Sequence, residues 1–287
     1  MLGVSIISGC RQCDESDSSG DPVISGWEHF RLGEFKEAVA SFESVLESRD
    51  CNADYLADAT YGLATVWDLR MPMTDQDKDL AESLYREVAE GNPNHRLAPW
   101  SMLAIARIKH LVQIGSVPDY DEVRRAYTAV WEKYPDNQAG QEAFVYLQAT
   151  YISTMDNAQI DRATAALHKF IEDHPRSGLR YAAWSLLAEA YTIQHKPDEL
   201  LHAEIETLKA QEIDKTNPFI ENSWRYWKIA TTAEFETGDF DVARDYYRRL
   251  MDEYPQDIRC YGSEEALRRM DRTEQKIRAE LKAEGQQ

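Results

Sequence analysis

Five stretches of this chain repeat one spacing, in which a small residue is followed by a large apolar residue four positions later. In the clearest copy these residues are Ala243 and Tyr247, and Pro255 follows eight positions after the tyrosine. Residues four apart lie on one face of an α-helix, and proline ends a helix because it lacks a backbone N–H. The spacing therefore predicts a series of helices that pack through the same small-plus-large face. The small members are Ala38, Ala81, Val123, Ala163 and Ala243, and the large members are Phe42, Tyr85, Tyr127, Leu167 and Tyr247.

A further helix is predicted before each of the later copies. Aromatic residues follow four of the helix-ending prolines, at Trp100, Phe144, Trp184 and Trp227. Leu or Ala lies three or four positions after each aromatic residue, on the same helical face. Aromatic residues at this spacing are typical of helix–helix packing. The prolines recur at intervals of 37 to 43 residues, at Pro93, Pro135, Pro175, Pro218 and Pro255. The chain is therefore expected to consist of helix pairs.

These helix pairs resemble tetratricopeptide repeats (TPR), which are helix–turn–helix units of about 34 residues with spaced Trp, Gly, Tyr, Ala, Phe and Pro positions. The Gly-Asp-Phe turn at residues 238–240 and the Gly-Glu-Phe turn at residues 33–35 carry the resemblance. It implies an all-α, TPR-like α-solenoid of about six helix pairs that form a right-handed superhelix. The proline intervals approach those of HEAT repeats, but turn-rich insertions at 71–79 and 114–121 contain the excess length. We therefore favour elongated tetratricopeptide repeats over HEAT-like ones.

Three segments are expected along the chain. Residues 1–21 combine a lipoprotein-type signal with a flexible acidic linker, residues 22–260 form the solenoid, and residues 261–287 form a capping helix and tail. Within the tail, Ser263 is expected to begin the helix as its N-cap and Gly285 to end it. The fifth helix pair is the poorest match to the repeat, because Pro197 starts its second helix but Ala203 does not fit the small-residue position.

Charge and motif content narrow the function classes. Lys and Arg number 32 against 51 Asp and Glu, which gives a net charge of −19 and disfavours nucleic acid as a partner. No phosphate-binding loop, metal-ligand motif or nucleophile motif is present. We therefore expect no catalytic residue, no metal and no cofactor. An α-solenoid enzyme or a small-molecule binding module is the alternative.

The N-terminal residues Ile7-Ser8-Gly9-Cys10 resemble the lipobox of bacterial lipoproteins. The resemblance implies that Cys10 is acylated and that residues 11–21 tether the solenoid to the membrane. It departs from the lipoprotein pattern because neither Lys nor Arg precedes Cys10. A TPR domain behind a lipobox is similar to the outer-membrane lipoproteins typified by the BamD assembly factor, whose second helices also end in Tyr-Pro or His-Pro. The expected location is the bacterial cell envelope, with a periplasmic domain and a lipid anchor as the only membrane contact. In the alternative, Cys10 is incidental and the protein is a cytoplasmic adaptor.

TPR proteins bind partner proteins or peptides in a concave groove that is lined mainly by the first helix of each pair. The resemblance places six residues of the last two pairs toward this groove: Ser185, Glu189, Thr192, Arg225, Lys228 and Phe235. Arg225 and Lys228 are basic residues in an acidic protein and are candidates to pair with an acidic partner segment. In the alternative, they offset the neighbouring acidic residues Glu221, Glu234 and Glu236. Ala98, Ser101 and Ile105 occupy the places of a Lys/Asn carboxylate clamp, so a chaperone adaptor of the clamp type is disfavoured.

Overall fold

The computed structural model describes residues 20–48, 52–72, 74–112, 115–211 and 222–284. This part of the chain contains thirteen helices and no strand, in six pairs followed by a long C-terminal helix. The helices are α1 (Pro22–Leu32), α2 (Phe35–Glu47), α3 (Ala53–Leu69), α4 (Asp75–Gly91), α5 (Ala98–His110), α6 (Tyr120–Lys133), α7 (Gln138–Ile152), α8 (Asn157–Asp173), α9 (Arg180–Ile193), α10 (Pro197–Ala210), α11 (Ser223–Thr232), α12 (Phe240–Glu253) and α13 (Arg259–Glu284). The prediction of an all-α chain of about six helix pairs is confirmed.

The chain divides into two compact units, residues 1–147 and residues 148–287. In the first unit, consecutive helices from α1 to α6 pack against one another, and α3 also contacts α1. In the second unit, α9 packs on α10, α11 on α12, and α12 on α13. Within each unit the core therefore forms between helices that are neighbours along the chain, as expected for stacked repeats.

All ten residues of the repeated small-plus-large spacing lie in the core and are at most 2% exposed. Four of the five helices that carry the spacing, namely α4, α6, α8 and α12, end two residues before their proline. Proline thus sets the length of these helices, because its ring and missing N–H prevent a further turn. The burial of the same two positions in each copy confirms that these helices pack through one face.

The turn between the two helices of a pair fixes where the second helix starts. Gly33 and Gly238 have φ angles of 77° and 72°, a left-handed conformation that glycine adopts without a Cβ penalty. Each glycine lies two residues before the first residue of its helix. The small residue of the repeat comes five positions after the turn glycine, and the large residue comes nine positions after it. In the fifth pair His195 takes this place with φ 54°, and α10 starts two residues later at Pro197. The turn geometry of the fifth pair therefore matches that of the first and sixth pairs.

Counting from His195 places Leu200 at the small-residue position of α10 and Glu204 at the large-residue position. Both are buried, at 5% and 6% exposure, and Ala203 beside them is also buried. The fifth pair thus keeps the turn geometry and the burial of both positions, but the first position holds no small residue and the second no large apolar one. This agrees with the prediction that it is the poorest match to the repeat and that Ala203 does not fit the small-residue position. The spacing was hidden because a carboxylate occupies the position that holds Phe42 and Tyr247 in the equivalent helices.

The C-terminal helix α13 begins at Arg259. The Asp257 carboxylate accepts hydrogen bonds from the Arg259 backbone N–H at 2.8 Å and from its guanidinium at 2.7 Å. These bonds hold the pKa of Asp257 well below its usual range. Ser263 is fully buried inside the helix, and its hydroxyl donates to the Arg259 carbonyl at 3.0 Å. The prediction that Ser263 caps the helix was therefore wrong, and Gly285 lies outside the described residues.

Candidate functional site

A cleft of about 150 Å³ lies in the second unit between the first helices α9 and α11, with the second helix α10 beneath it. It is lined by Ser185 and Ala188 of α9, by Glu204 and Thr207 of α10, and by Trp224, Arg225, Lys228 and Ile229 of α11. Three of the residues that the TPR resemblance placed in a binding groove, Ser185, Arg225 and Lys228, are thus brought together. We call this site the Glu204 cleft.

The carboxylate of Glu204 is only partly paired within the described residues. Its side chain is 5% exposed, and the Lys228 ammonium lies 2.9 Å from Oε1 in an ion pair. Oε2 is buried and has no hydrogen-bond partner among the described residues. A buried acceptor without hydrogen bonds costs about 1–3 kcal/mol, and more when it is charged. The cleft therefore holds a carboxylate with one oxygen left to accept hydrogen bonds.

The cleft exists because Glu204 occupies the large-residue position. In the other copies this position is filled by a ring or by Leu167, and Tyr247, for example, packs edge-on against Trp227 with ring centroids 5.5 Å apart. A carboxylate is smaller than a phenol ring, so the space above α10 is not filled by the second helix. Trp184 of α9 is nearly buried beside this region. The gap is therefore a consequence of one substitution within a regular repeat.

The tyrosines at the large-residue position donate their hydroxyls to acidic or basic groups on the preceding helix. The Tyr247 hydroxyl donates to Glu234 at 2.9 Å, and the Tyr85 hydroxyl lies 3.4 Å from Asp68. Burial raises the pKa of the Tyr247 hydroxyl, and the bond to Glu234 raises it further. Such tyrosines remain protonated donors. In α10 this donor is absent, since the position itself carries the acid.

Arg225 forms a fixed wall of the cleft. Its guanidinium lies over the rings of Trp224 and Tyr181, at 4.3 Å and 4.9 Å from their centroids, and it donates a hydrogen bond to the Tyr181 hydroxyl. Burial lowers the pKa of the Arg225 guanidinium, whereas Tyr181 and Glu204 raise it. Stacking on two rings restricts the guanidinium to one plane. Arg225 thus presents a positive charge in a defined orientation.

Lys228 differs from Arg225 because its side chain is 51% exposed and is free of aromatic stacking among the described residues. Its ion pair with Glu204 shows that Lys228 is balanced by an acid of α10. Glu234, one of the neighbours considered as its counter-charge, instead accepts two hydrogen bonds from Arg269, at 2.7 Å and 2.8 Å. Lys228 therefore offsets an acid of the neighbouring second helix, whereas Glu234 is paired with Arg269, and Glu221 lies outside the described residues.

The other residues predicted for a groove lie outside the cleft lining. Glu189 and Thr192 are exposed on α9, and the Thr192 hydroxyl donates to the Ala188 carbonyl at 2.8 Å. Phe235 is 65% exposed in the π-helical turn that continues α11 over Ala233–Thr237. Its ring lies under the Arg269 guanidinium, 5.0 Å from the ring centroid. Cys10 lies outside the described residues.

Two of the three clamp positions of the third pair are buried. Ala98 and Ser101 are both 0% exposed, so they face the core of the first unit, whereas Ile105 is half-buried. The structure thus adds a reason for the missing clamp, since the Ala98 and Ser101 side chains do not reach solvent.

With the geometry described, the chain can be compared with known proteins. Residues 226–257 match the tetratricopeptide repeat family model. This TPR match covers most of α11, the π-helical turn, α12 and the turn after it. It includes Lys228 and Ile229 of the cleft but stops short of Trp224, Arg225 and all of α9 and α10. No curated protein matches the chain.

Solved structures extend the TPR likeness over most of the chain. A structure from the functional characterization of Pseudomonas aeruginosa pilF aligns with a TM-score of 0.53 and 14% identity, covering 89% of this chain and 97% of that one. Acl4, an assembly chaperone of RpL4, aligns at TM-score 0.49 and 13% identity over 91% and 99% of the two chains. A tetratricopeptide repeat protein from Parabacteroides merdae aligns at 0.48 and 12% over 89% and 85%. The likeness to pilF shows that the fold is a TPR-like helical solenoid.

The described residues contain neither a membrane-spanning helix nor a cluster of metal-ligating side chains. None of the described helices combines the length and the apolar composition needed to cross a bilayer. No group of three or more His, Cys, Asp or Glu side chains converges as a metal site in the same part of the chain. The Glu204 cleft is the candidate binding site of the second unit.

Proposed function

We propose that this chain is a non-catalytic scaffold that binds a partner protein through the Glu204 cleft. The TPR-like fold supports the proposal, because such folds typically serve protein–protein interaction. The observation that carries it is the buried Glu204 carboxylate, which lines a cleft between two first helices and has one oxygen without a hydrogen-bond partner among the described residues. A segment of a partner that entered the cleft would supply the missing bonds.

The walls of the cleft suit a polar protein segment. Arg225 is held by its two rings, while Lys228 pairs with Glu204 and leaves half of its side chain exposed to a partner. Trp224 is 45% exposed at the cleft and offers a flat apolar surface. Aromatic and Arg residues are over-represented among the residues that dominate binding energy at interfaces.

Partner capture tests this proposal. The full chain and the Arg225→Glu, Lys228→Glu double variant are each used to capture partners from lysate of the source cells, followed by chemical cross-linking. We expect the variant to lose the proteins that cross-link to α9, α10 or α11 in the wild type. The matched control is Arg248→Glu, Arg268→Glu, which makes the same charge change at exposed positions of α12 and α13.

Both variants must first give the helical circular dichroism spectrum of the wild type. An unchanged set of partners, bound with unchanged affinity, would exclude the cleft as the binding surface. Loss of the same partners in the control variant would show that net charge alone determines binding.

We propose further that the scaffold is attached to the bacterial envelope through Cys10. The lipobox-like residues Ile7-Ser8-Gly9-Cys10 and the acidic linker that follows support this proposal. Stable membrane attachment by acyl chains needs more than one chain, as a triply acylated lipoprotein cysteine provides. The same binding cleft would serve a cytoplasmic adaptor, so the two proposals are tested separately.

Fatty-acid labelling tests the anchor. The chain is expressed in a bacterium from its genomic start and labelled with an alkyne fatty-acid analogue, alongside Cys10→Ser and Cys13→Ser. We expect label on the wild type and on Cys13→Ser and none on Cys10→Ser. Equal labelling of all three, or of none, would favour the cytoplasmic adaptor.

A further inference from the structure

We propose that the Glu204 cleft binds a primary carboxamide, the side chain of an Asn or Gln in a partner segment. This inference rests on the proposed scaffold function and specifies the chemistry of the segment that enters. It follows from three properties of the cleft, which are its origin, its hydrogen-bonding groups and its charge.

The origin of the cleft limits the size and shape of the occupant. Glu204 takes the place held by the rings of Phe42 and Tyr247 in the equivalent helices, so the space left free between α9 and α11 is that of a missing ring. A volume of about 150 Å³ holds one side chain and excludes a folded element. A flat group of a few heavy atoms fits such a gap between close-packed helices.

The hydrogen-bonding groups require an occupant that both donates and accepts. Glu204 Oε2 is a buried acceptor without a hydrogen bond among the described residues, Oε1 is ion-paired with Lys228 at 2.9 Å, and Arg225 carries further donors on the facing helix. Thr207 adds little, because its hydroxyl already donates to the Ala203 carbonyl at 2.7 Å. A primary carboxamide has two N–H donors and a carbonyl acceptor on one carbon atom. Its NH₂ group satisfies Glu204, and its carbonyl oxygen accepts from Lys228 or Arg225.

The charge of the cleft disfavours the ionised alternatives. Glu204, Arg225 and Lys228 together carry one negative and two positive charges in a cleft where Glu204 is buried and Lys228 is half exposed. A partner lysine or arginine would bring a third positive charge next to these two. A partner carboxylate would lie beside Glu204 and leave its Oε2 without a donor. A neutral donor–acceptor group avoids both penalties, and Trp224 covers the methylene groups that precede the amide.

The test is a titration of the ¹⁵N-labelled full chain with side-chain probes, followed by NMR. The probes are the N-acetyl, N-methylamide derivatives of glutamine, glutamate, lysine and norleucine, which share a backbone and differ in the side chain. Glutamate differs from glutamine only in its end group. We expect the glutamine probe to shift the resonances of Thr207, Ala188 and Lys228 and to bind at least tenfold more tightly than the other three. Preference for glutamate, lysine or norleucine would overturn the carboxamide assignment.

Variants separate the cleft from the rest of the surface. Glu204→Met removes the acceptors and is expected to abolish the response to the glutamine probe. The control Glu199→Met changes an exposed glutamate of the same helix and is expected to leave the response intact. A response that survives Glu204→Met would place the bound probe elsewhere and overturn the proposal. The folded state of each variant is read from the same spectra.

Free L-glutamine distinguishes a partner segment from a small metabolite. The amide group is the same, but the free amino acid carries a charged ammonium and carboxylate where a segment has peptide bonds. Binding of free glutamine at least tenfold tighter than the blocked probe would overturn the assignment to a partner segment. If no probe binds while partner capture still depends on Arg225 and Lys228, the carboxamide proposal fails and the scaffold proposal stands.

Discussion

Glu204 and Glu234 are two glutamates of the second unit with nearly the same burial, yet their surroundings differ. Their side chains are 5% and 4% exposed. Glu234 accepts two hydrogen bonds from Arg269 and one from the Tyr247 hydroxyl, whereas Glu204 has only the Lys228 ion pair at Oε1 and no partner at Oε2 among the described residues. The difference depends on which helix carries the acid. In the sixth pair the acid lies on the first helix and a tyrosine reaches it from the large-residue position, while in the fifth pair the acid occupies that position.

The comparison teaches that a buried charge can have either a structural or a binding role in the same repeat. A carboxylate with three good hydrogen bonds is costly to disturb and adds definition to the packing. A carboxylate with one oxygen left without a donor weakens the fold and gains when a ligand supplies donors. The variants below change one member of the comparison at a time, and all are measured by urea denaturation of the full chain.

Arg269→Met is expected to have the largest effect. It removes both guanidinium bonds and leaves Glu234 buried with the Tyr247 hydroxyl alone. Breaking a buried pair costs about 3–5 kcal/mol, and because the Arg269 side chain is 44% exposed we expect about 2–3 kcal/mol. Arg268→Met, at an exposed neighbouring position, should change stability by less than about 0.5 kcal/mol. Equal effects of the two variants would mean that Glu234 does not depend on Arg269.

Ala243→Trp tests the small-residue position on the Glu234 side of the comparison. Ala243 is 0% exposed, and overpacking such a site costs on the order of 1–3 kcal/mol. The control is Asp245→Trp, two positions along α12 on an exposed face. An Ala243→Trp denaturation midpoint equal to that of the wild type would show that the helix face is assigned incorrectly.

Tyr247→Phe keeps the ring and removes only the hydroxyl that donates to Glu234. We expect a loss of about 1.5–3 kcal/mol, since a hydrogen bond to a charged group contributes roughly that amount. Phe42 already occupies the equivalent position in the first pair, so the ring itself is compatible with the fold. No change in the midpoint would indicate that Arg269 alone satisfies the carboxylate.

Glu204→Met is expected to have the smallest effect and the opposite sign. It replaces a buried carboxylate that is only partly paired with an apolar side chain of similar length, so we expect a gain of about 0.5–1 kcal/mol. Lys228 is half exposed and remains solvated without its counter-ion. Glu234→Met provides the contrast and should destabilise. A loss of stability in both variants would remove the distinction between the two glutamates.

Much of the fold could be predicted from the sequence because the repeated spacing reports burial directly. A small residue and a large apolar residue on one helical face indicate packing, and all five copies are buried. The spacing failed at α10 because Glu204 is charged, and a charged residue on a helix usually indicates a solvated face. The turn at His195 would have located it, but the left-handed conformation there is taken by a residue other than glycine.

The candidate site could be predicted only in part. The TPR resemblance led to Ser185, Arg225 and Lys228, because these lie on the first helices that line the groove in that family. It could not lead to Glu204 or Thr207, which reach the cleft from a second helix. Nor could the sequence show that Lys228 pairs with Glu204, since residues 24 positions apart meet only through tertiary packing.

The π-helical turn at Ala233–Thr237 contains Glu234 and continues α11, whose earlier residues Arg225 and Lys228 line the Glu204 cleft. A π turn has i→i+5 hydrogen bonds and occurs mostly as a single turn inside an α-helix. Each residue of an α-helix advances the side-chain direction by about 100°. Because the π turn departs from this period, α-helical counting from Arg225 and Lys228 does not give the direction of the Glu234 side chain.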